Sequence, residues 1–148
     1  NMTRTEFAIM LTNYLHLDPA AYEGVVLPFI DAGDIPWWAV NHVKAVYDKG
    51  LMKGQLTDYG VRFNPYANIQ RLEYAISLSR LLPEGLSQSP ITAVDQEQVP
   101  WWAEESMKIA IAQGIMNGYP DGTLKPTQSV TRAEAVKMLY TVLGAGVE

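Results

Sequence analysis

Cysteine is absent from the 148 residues, which excludes disulfide frameworks, thiolate metal sites and cysteine nucleophiles. A cationic surplus is absent too. Eleven Lys+Arg stand against 16 Asp+Glu, a net charge of −5, so the basic surface needed for bulk binding to nucleic acid or an anionic membrane is missing. A small anion held by one or two arginines is still allowed. No apolar run approaches the roughly 20 residues that cross a bilayer, so membrane insertion is not expected. No charged-then-apolar leader opens the chain; an export signal would lie outside these residues. The only histidines, His16 and His42, lack a metal-binding spacing and read as surface or packing residues. What the chain does have is apolar character. With 48% hydrophobic and 18% charged residues, it suits one ordered domain over 1–148 that can bury a core.

The sequence repeats itself. "IPWWA" at 35–39 recurs as "VPWWA" at 99–103, and all four tryptophans lie in these two clusters. The same offset pairs Gly50 with Gly114, Gly54 with Gly118 and Asp31 with Asp95. Beyond the glycines the offset shortens by three residues, so that "IQRLE" at 69–73 matches "VTRAE" at 130–134. A third copy of this second half, "MTRTE" at 2–6, opens the chain. The organisation is therefore a second half repeat at 2–15, a full repeat at 29–82, a linker at 83–92 containing "PEGLSQSP", and a full repeat at 93–143. A chain opening in mid-motif is expected to be part of something longer.

Each full repeat reads as helix, loop, helix. Ala39, Val43, Val46 and Tyr47, like Ala103, Met107, Ala110 and Ile111, follow the spacing of one buried helical face. Gly50 and Gly114 suit the left-handed stop after a helix. The second helices carry the stripes Phe7, Met10, Leu11, Tyr14; Tyr74, Leu78, Leu81, Leu82; and Val136, Leu139, Tyr140, Leu143. Thr3 with Glu6 and Thr131 with Glu134 form capping boxes. Gln70 occupies the cap slot in the middle copy, where Asn68 is expected to cap a shifted start. Helices are predicted near 4–15, 37–49, 70–82, 102–113 and 132–143, with a short turn near 18–23. The fold class is all-α. Repeats of this kind cannot bury both stripes alone and must pack on one another; three copies of the second helix would suit a pseudo-threefold bundle.

Arg4, Arg71 and Arg132 occupy one slot in all three copies, while their neighbours vary. A cation in the first turn opposes the helix dipole, so helix formation does not explain it. Two readings stay open at this point. The arginine forms an internal salt bridge or packs its stem, or its planar fork grips a carboxylate or phosphate. The tryptophans are packing anchors or sugar platforms. Asp121–Gly122 is a tight turn or a ligand contact. Glu104 and Glu105 read as a solvated face. "YPDGTLKP" offers one carboxylate, too few for calcium, and no cofactor or metal is expected. Paired carboxylates for glycan hydrolysis are not indicated, since Glu6, Glu73 and Glu134 are explained by capping.

The stretch "VPWWAEESMKIAIAQGIMNGYPDGTLKPTQSVTRAE" at 99–134 resembles an S-layer homology repeat in its Trp-Ala helix start, Gly-Ile helix end, "GYPDGT" loop and "TRAE" helix start. Residues 31–82 resemble it more loosely, and 2–15 resemble its second half. The resemblance implies a non-catalytic, extracellular module that anchors a protein to the cell wall by binding anionic, often pyruvylated, secondary wall polysaccharide in grooves of a pseudo-threefold assembly. It assigns Arg132, Arg71 and Arg4 as carboxylate receptors. Gly118, Tyr119, Asp121 and Gly122 would line a groove, and Trp102 and Trp38 would support or line it. The half repeat and the altered middle loop imply one competent groove rather than three, with self-association as one way to complete the missing half. A structural or protein-binding repeat module, or peptidoglycan binding, is the alternative.

Overall fold

The computed structural model describes residues 1–146; the side chain of Leu143, predicted above to complete a buried stripe, lies outside what is described. Among the described residues, five α-helices make up most of the regular secondary structure: α1 (Arg4–Tyr14), α2 (Val40–Asp48), α3 (Arg71–Ser79), α4 (Glu104–Ala112) and α5 (Arg132–Gly146). Single 3₁₀ turns precede α2 and α4, at Ala32–Asp34, Gln96–Gln98 and Trp101–Ala103, and another covers Pro19–Tyr22.

The all-α expectation needs one correction. The middle loop folds into a small antiparallel hairpin, β1 (Gln55–Thr57) with β2 (Gly60–Arg62), in register Leu56 opposite Val61. The three extra residues of this copy leave room for it, and "TDYG" supplies the turn. The Thr57 hydroxyl donates to Gly60 O at 2.7 Å and accepts from Tyr59 N at 3.2 Å. Gly60 sits at φ +131°, where a side chain is disfavoured.

Two compact units emerge, and their boundary falls inside a repeat. One unit is Met2–Asn68; the other begins at Ile69. In the first, α1 packs on α2, and α2 on the Pro19–Tyr22 turn. Phe7, Leu11, Val43, Val46 and Phe63 form its core. Phe29 stands edge-on to Tyr47 at 5.5 Å and 5.4 Å from Phe63, centroid to centroid. In the second, α3 packs on α4 and α5, burying Tyr74, Leu78, Met107, Ile115 and Leu139. The Tyr74 hydroxyl reaches Ala135 O.

The helix ends follow their sequence signals. Gly50 and Gly114 take φ +72° and +75°. Leu51 N donates to Val46 O at 2.9 Å and Ile115 N to Ala110 O at 2.8 Å, closing both helices with the same Schellman-type bond. At α1 the capping box is complete, with Glu6 N to Thr3 Oγ1 at 3.1 Å and Thr3 N to Glu6 Oε1 at 3.0 Å. The cap of α3 is Gln70, not Asn68, and its N–H donates to Glu73 Oε1 at 3.2 Å. Asn68 is instead bridged to Thr3, as Ser129 is to Gln70.

The stripe of α5 also departs from expectation. Val136 and Tyr140 are exposed, while Ala135, Met138, Leu139 and Val142 are buried. Arg132, Val136 and Tyr140 share a helical face that corresponds to Arg4, Ala8 and Thr12 of α1, all buried. That face of α1 is covered by the loop and first helix of the next repeat; within these residues no further repeat follows α5.

Gly54 is the tightest point of the first unit. An added Cβ would lie 2.6 Å from Phe29 and 2.7 Å from Val61 at φ +84°, whereas at Gly24 it would meet nothing within 4 Å. Gly54→Ala is therefore expected to destabilise the chain by about 2–4 kcal/mol through combined overpacking and backbone strain. Gly24→Ala should shift stability by no more than about 0.5 kcal/mol. Urea unfolding of both variants checks this.

Candidate functional site

The recurring arginines and aspartates meet on the backbone of one loop residue. In the first unit, Arg4 Nε donates to Phe63 O at 2.6 Å, while Asp31 accepts from Phe63 N at 2.8 Å and Asn64 N at 2.9 Å. In the second, Arg71 Nε donates to Leu124 O at 3.0 Å, and Asp95 accepts from Leu124 N and Lys125 N, both at 2.9 Å. One peptide is thus gripped at its carbonyl by a guanidinium and at its N–H by a carboxylate. The residue after it is left-handed without being glycine, Asn64 at φ 54° and Lys125 at φ 51°. Arg4 and Arg71 are only 3% and 5% exposed, and both aspartates are buried.

The same loops occupy the helix starts. Arg4 N donates to Ala67 O and Thr5 N to Pro65 O at 2.9 and 3.3 Å; Arg71 N and Leu72 N donate to Gln128 O and Pro126 O at 2.9 and 2.8 Å. The first-turn donors of α1 and α3 are therefore engaged by loop carbonyls instead of waiting for an anion.

Arg71 does more than hold the loop. Its Nη1 pairs with Glu134 of α5, and its Nη2 donates to Asn117 O at 2.9 Å and contacts Met116 Sδ at 3.4 Å. Its guanidinium carbon lies 4.8 Å from the centre of the Tyr119 ring, and Lys125 Nζ lies 4.4 Å from the same centre. Beside this network opens a cleft of about 340 Å³ lined by Arg71, Asn117, Gly118, Tyr119, Glu134 and Lys137, with Ile115 and Met138 as its apolar part.

The cleft gathers Arg71, Gly118 and Tyr119 from the expected site residues. It does not include Arg132, which is exposed at the start of α5, or Arg4, which belongs to the other unit. Asp121 and Gly122 lie in the exposed turn beside it. Gly122 is left-handed at φ +86° and its N–H donates to Tyr119 O at 2.9 Å. The Thr123 hydroxyl and N–H, at 2.6 and 3.0 Å, hold the Asp121 carboxyl below its ordinary range. Trp38 and Trp102 are exposed, as are Trp37 (87%) and Trp101 (83%); the buried anchors of the two clusters are Ala39 and Ala103 instead. His16 is the exposed left-handed residue closing α1, and half-buried His42 has a shielded Nδ1 with no partner among the described residues.

Asn117, Glu134 and Lys137 carry no site signal in the sequence, where Glu134 has the spacing of a cap. It is part of one: its N–H donates to Thr131 Oγ1 at 3.1 Å and its Oε1 accepts from the Thr131 hydroxyl at 3.2 Å, but its second role needs the third dimension. Among the described residues no helix is long and apolar enough to cross a membrane, and no group of three or more His, Asp or Glu could hold a metal ion.

The S-layer homology domain model matches residues 28–75 and 94–136, and the chain belongs to that family. Cell surface glycoprotein 1 of Acetivibrio thermocellus is 30% identical over 99% of this chain and 6% of its own length. The cellulosome-anchoring protein of the same species is 28% identical over 99% of this chain and 33% of its own. An amylopullulanase of Thermoanaerobacterium thermosulfurigenes is 30% identical over 96% of this chain and 8% of its own. The chain thus spans between 6% and 33% of the length of these relatives.

Burial raises the Asp95 pKa, but the N–H groups of Leu124 and Lys125 outweigh it and hold the carboxyl below its ordinary range. A carboxyl depressed in the folded state stabilises fully above its unfolded pKa and loses that contribution as pH falls through the folded one. Asp95→Ala, which leaves two N–H groups without their carboxylate, is expected to cost about 2–4 kcal/mol at pH 7. The gap from wild type should narrow as pH drops below about 4. Thermal melts from pH 7 to pH 2 read both effects.

Proposed function

We propose that the chain is a non-catalytic module that anchors a larger protein to the cell wall by binding anionic secondary wall polysaccharide, with the Arg71–Tyr119 cleft as its glycan site. Family membership supports surface anchoring, and the cleft carries the site assignment. It is concave, of a size usual for small-ligand sites, roughly 300–1,000 Å³, and bordered by a guanidinium, an exposed glycine backbone and an aromatic ring. Gly118 is exposed and leaves that backbone open to a sugar, whereas an added Cβ there would press on Thr123 O at 3.3 Å. The corresponding Gly54 is packed beneath Phe29 and Val61, which favours a single competent groove, in the second unit. The amylopullulanase match covers 8% of that protein, consistent with an appended module. Among the described residues, Glu134 is the carboxylate lining the cleft, and it is paired with Arg71.

The pyruvylated form of the sugar, the pseudo-threefold packing suggested by the number of copies, and a second copy supplying a loop-and-helix half to the exposed face of α5 belong to the same reading. Arg71 serves it as the rigid wall of the cleft. Arg132 is the exposed member of the arginine series at the surface such a half would cover.

Isolated wall sacculi provide the test. The chain should sediment with native sacculi and fail to do so after acid extraction of the non-peptidoglycan polymer. Retained binding after extraction would redirect the assignment to peptidoglycan. Failure to bind native sacculi would overturn it.

A further inference from the structure

We propose that Lys137 is the cation that reads the acid group of the ligand in this cleft; the inference rests on the cleft being a glycan site. Three charged side chains line it, Arg71, Glu134 and Lys137. The first two neutralise one another through the Nη1–Oε2 ion pair, and the other Arg71 nitrogens are directed to Leu124 O, Asn117 O and Met116 Sδ. Arg71 therefore presents little unused donor capacity to a ligand. Lys137 lies one turn beyond Glu134 on α5, is exposed, and its ammonium has no partner among the described residues. Among the lining residues the surplus positive charge is its own; Lys125, outside the lining, lies over the Tyr119 ring.

The aligned copies sharpen the argument. The arginine slot holds Arg4, Arg71 and Arg132, and the glutamate slot holds Glu6, Glu73 and Glu134, without variation. Three residues after the glutamate, the first two copies carry Ile9 and Ile76; the third carries Lys137. The arginine and glutamate are thus part of what every copy needs, whereas the lysine marks one copy alone, in the unit where the open cleft is found. An ammonium on a flexible stem is a point charge that a carboxylate can meet from several directions. It also adds to the electrostatic attraction of an acidic polymer towards a chain whose net charge is −5.

The test compares wild type, Lys137→Ile, Lys137→Gln and Lys137→Arg for binding to a wall polysaccharide carrying pyruvate ketals and to the same polymer after mild acid has removed them. Lys137→Ile installs the residue that two other copies use at this slot, and Lys137→Gln keeps the position polar; thermal melts confirm folding. The expected result is a roughly ten- to hundredfold loss of affinity for the ketal-bearing polymer in both, a weaker dependence on salt, and near-normal binding by Lys137→Arg. On the stripped polymer all four should bind alike. Equal binding of wild type and Lys137→Ile to the ketal-bearing polymer overturns the role of Lys137 and leaves the glycan site standing. An equal loss on both polymers also overturns it, because the effect would not depend on the acid. If the folded wild type binds neither polymer, it is the reading of the cleft that fails.

Discussion

A peptide held at both ends organises this chain. The carbonyl of Phe63 or Leu124 accepts from a buried arginine, and the N–H of the following residue, in the same peptide group, donates to a buried aspartate. Neither charge would tolerate burial without such partners. Each is satisfied by backbone dipoles, and a charge-assisted bond of this type is stronger than a neutral one. The arginine comes from the second helix of one repeat, while the aspartate and the loop come from the next. Each compact unit is therefore the overlap of two successive repeats, and the boundary between units falls at Asn68–Ile69, well inside the middle copy.

This explains why part of the architecture was legible in the sequence and part was not. Helix positions, glycine stops and the Thr3–Glu6 box rest on local chemistry, and local chemistry is written in neighbouring residues. The recurrence of Asp31 with Asp95 and of the three arginines was equally visible. Their meeting was not, because Arg71 and Leu124 are 53 residues apart and no spacing rule links a side chain to a distant peptide. The hairpin escaped because its strands are three residues each, too short to establish an alternation; Thr57-Asp58-Tyr59-Gly60 was its only signal. The displaced stripe of α5 has a different cause. Its apolar residues follow the helical period, but which of them is buried depends on what packs against the helix, and Val136 and Tyr140 lie on the side left uncovered here.

The site illustrates a division of labour between residues that look alike. Three arginines at one slot invite one role, yet Arg4 and Arg71 are fixed inside their units and Arg132 is exposed. The candidate glycan cleft arises where the second-unit loop turns tightly through Tyr119 and Gly122, leaving Gly118 accessible. In the first unit, Phe29, from the segment before α2, and Val61, from the longer loop, cover the corresponding glycine. Phe29 has Ala93 as its counterpart in the other copy, so a covered backbone in one copy is matched by an exposed one in the other.

The overlap between repeats also determines where genes of this kind can be cut and rejoined. A break in the Pro-Gly-rich segment at 83–92, the evident seam in the sequence, parts Arg71 from Leu124 and leaves a buried guanidinium without its acceptor. A break between Asn68 and Ile69 parts neither Arg4 from Phe63 nor Arg71 from Leu124. Recombination among surface proteins would conserve folded modules best by crossing over in the middle of a repeat, out of phase with the periodicity that the eye picks out first.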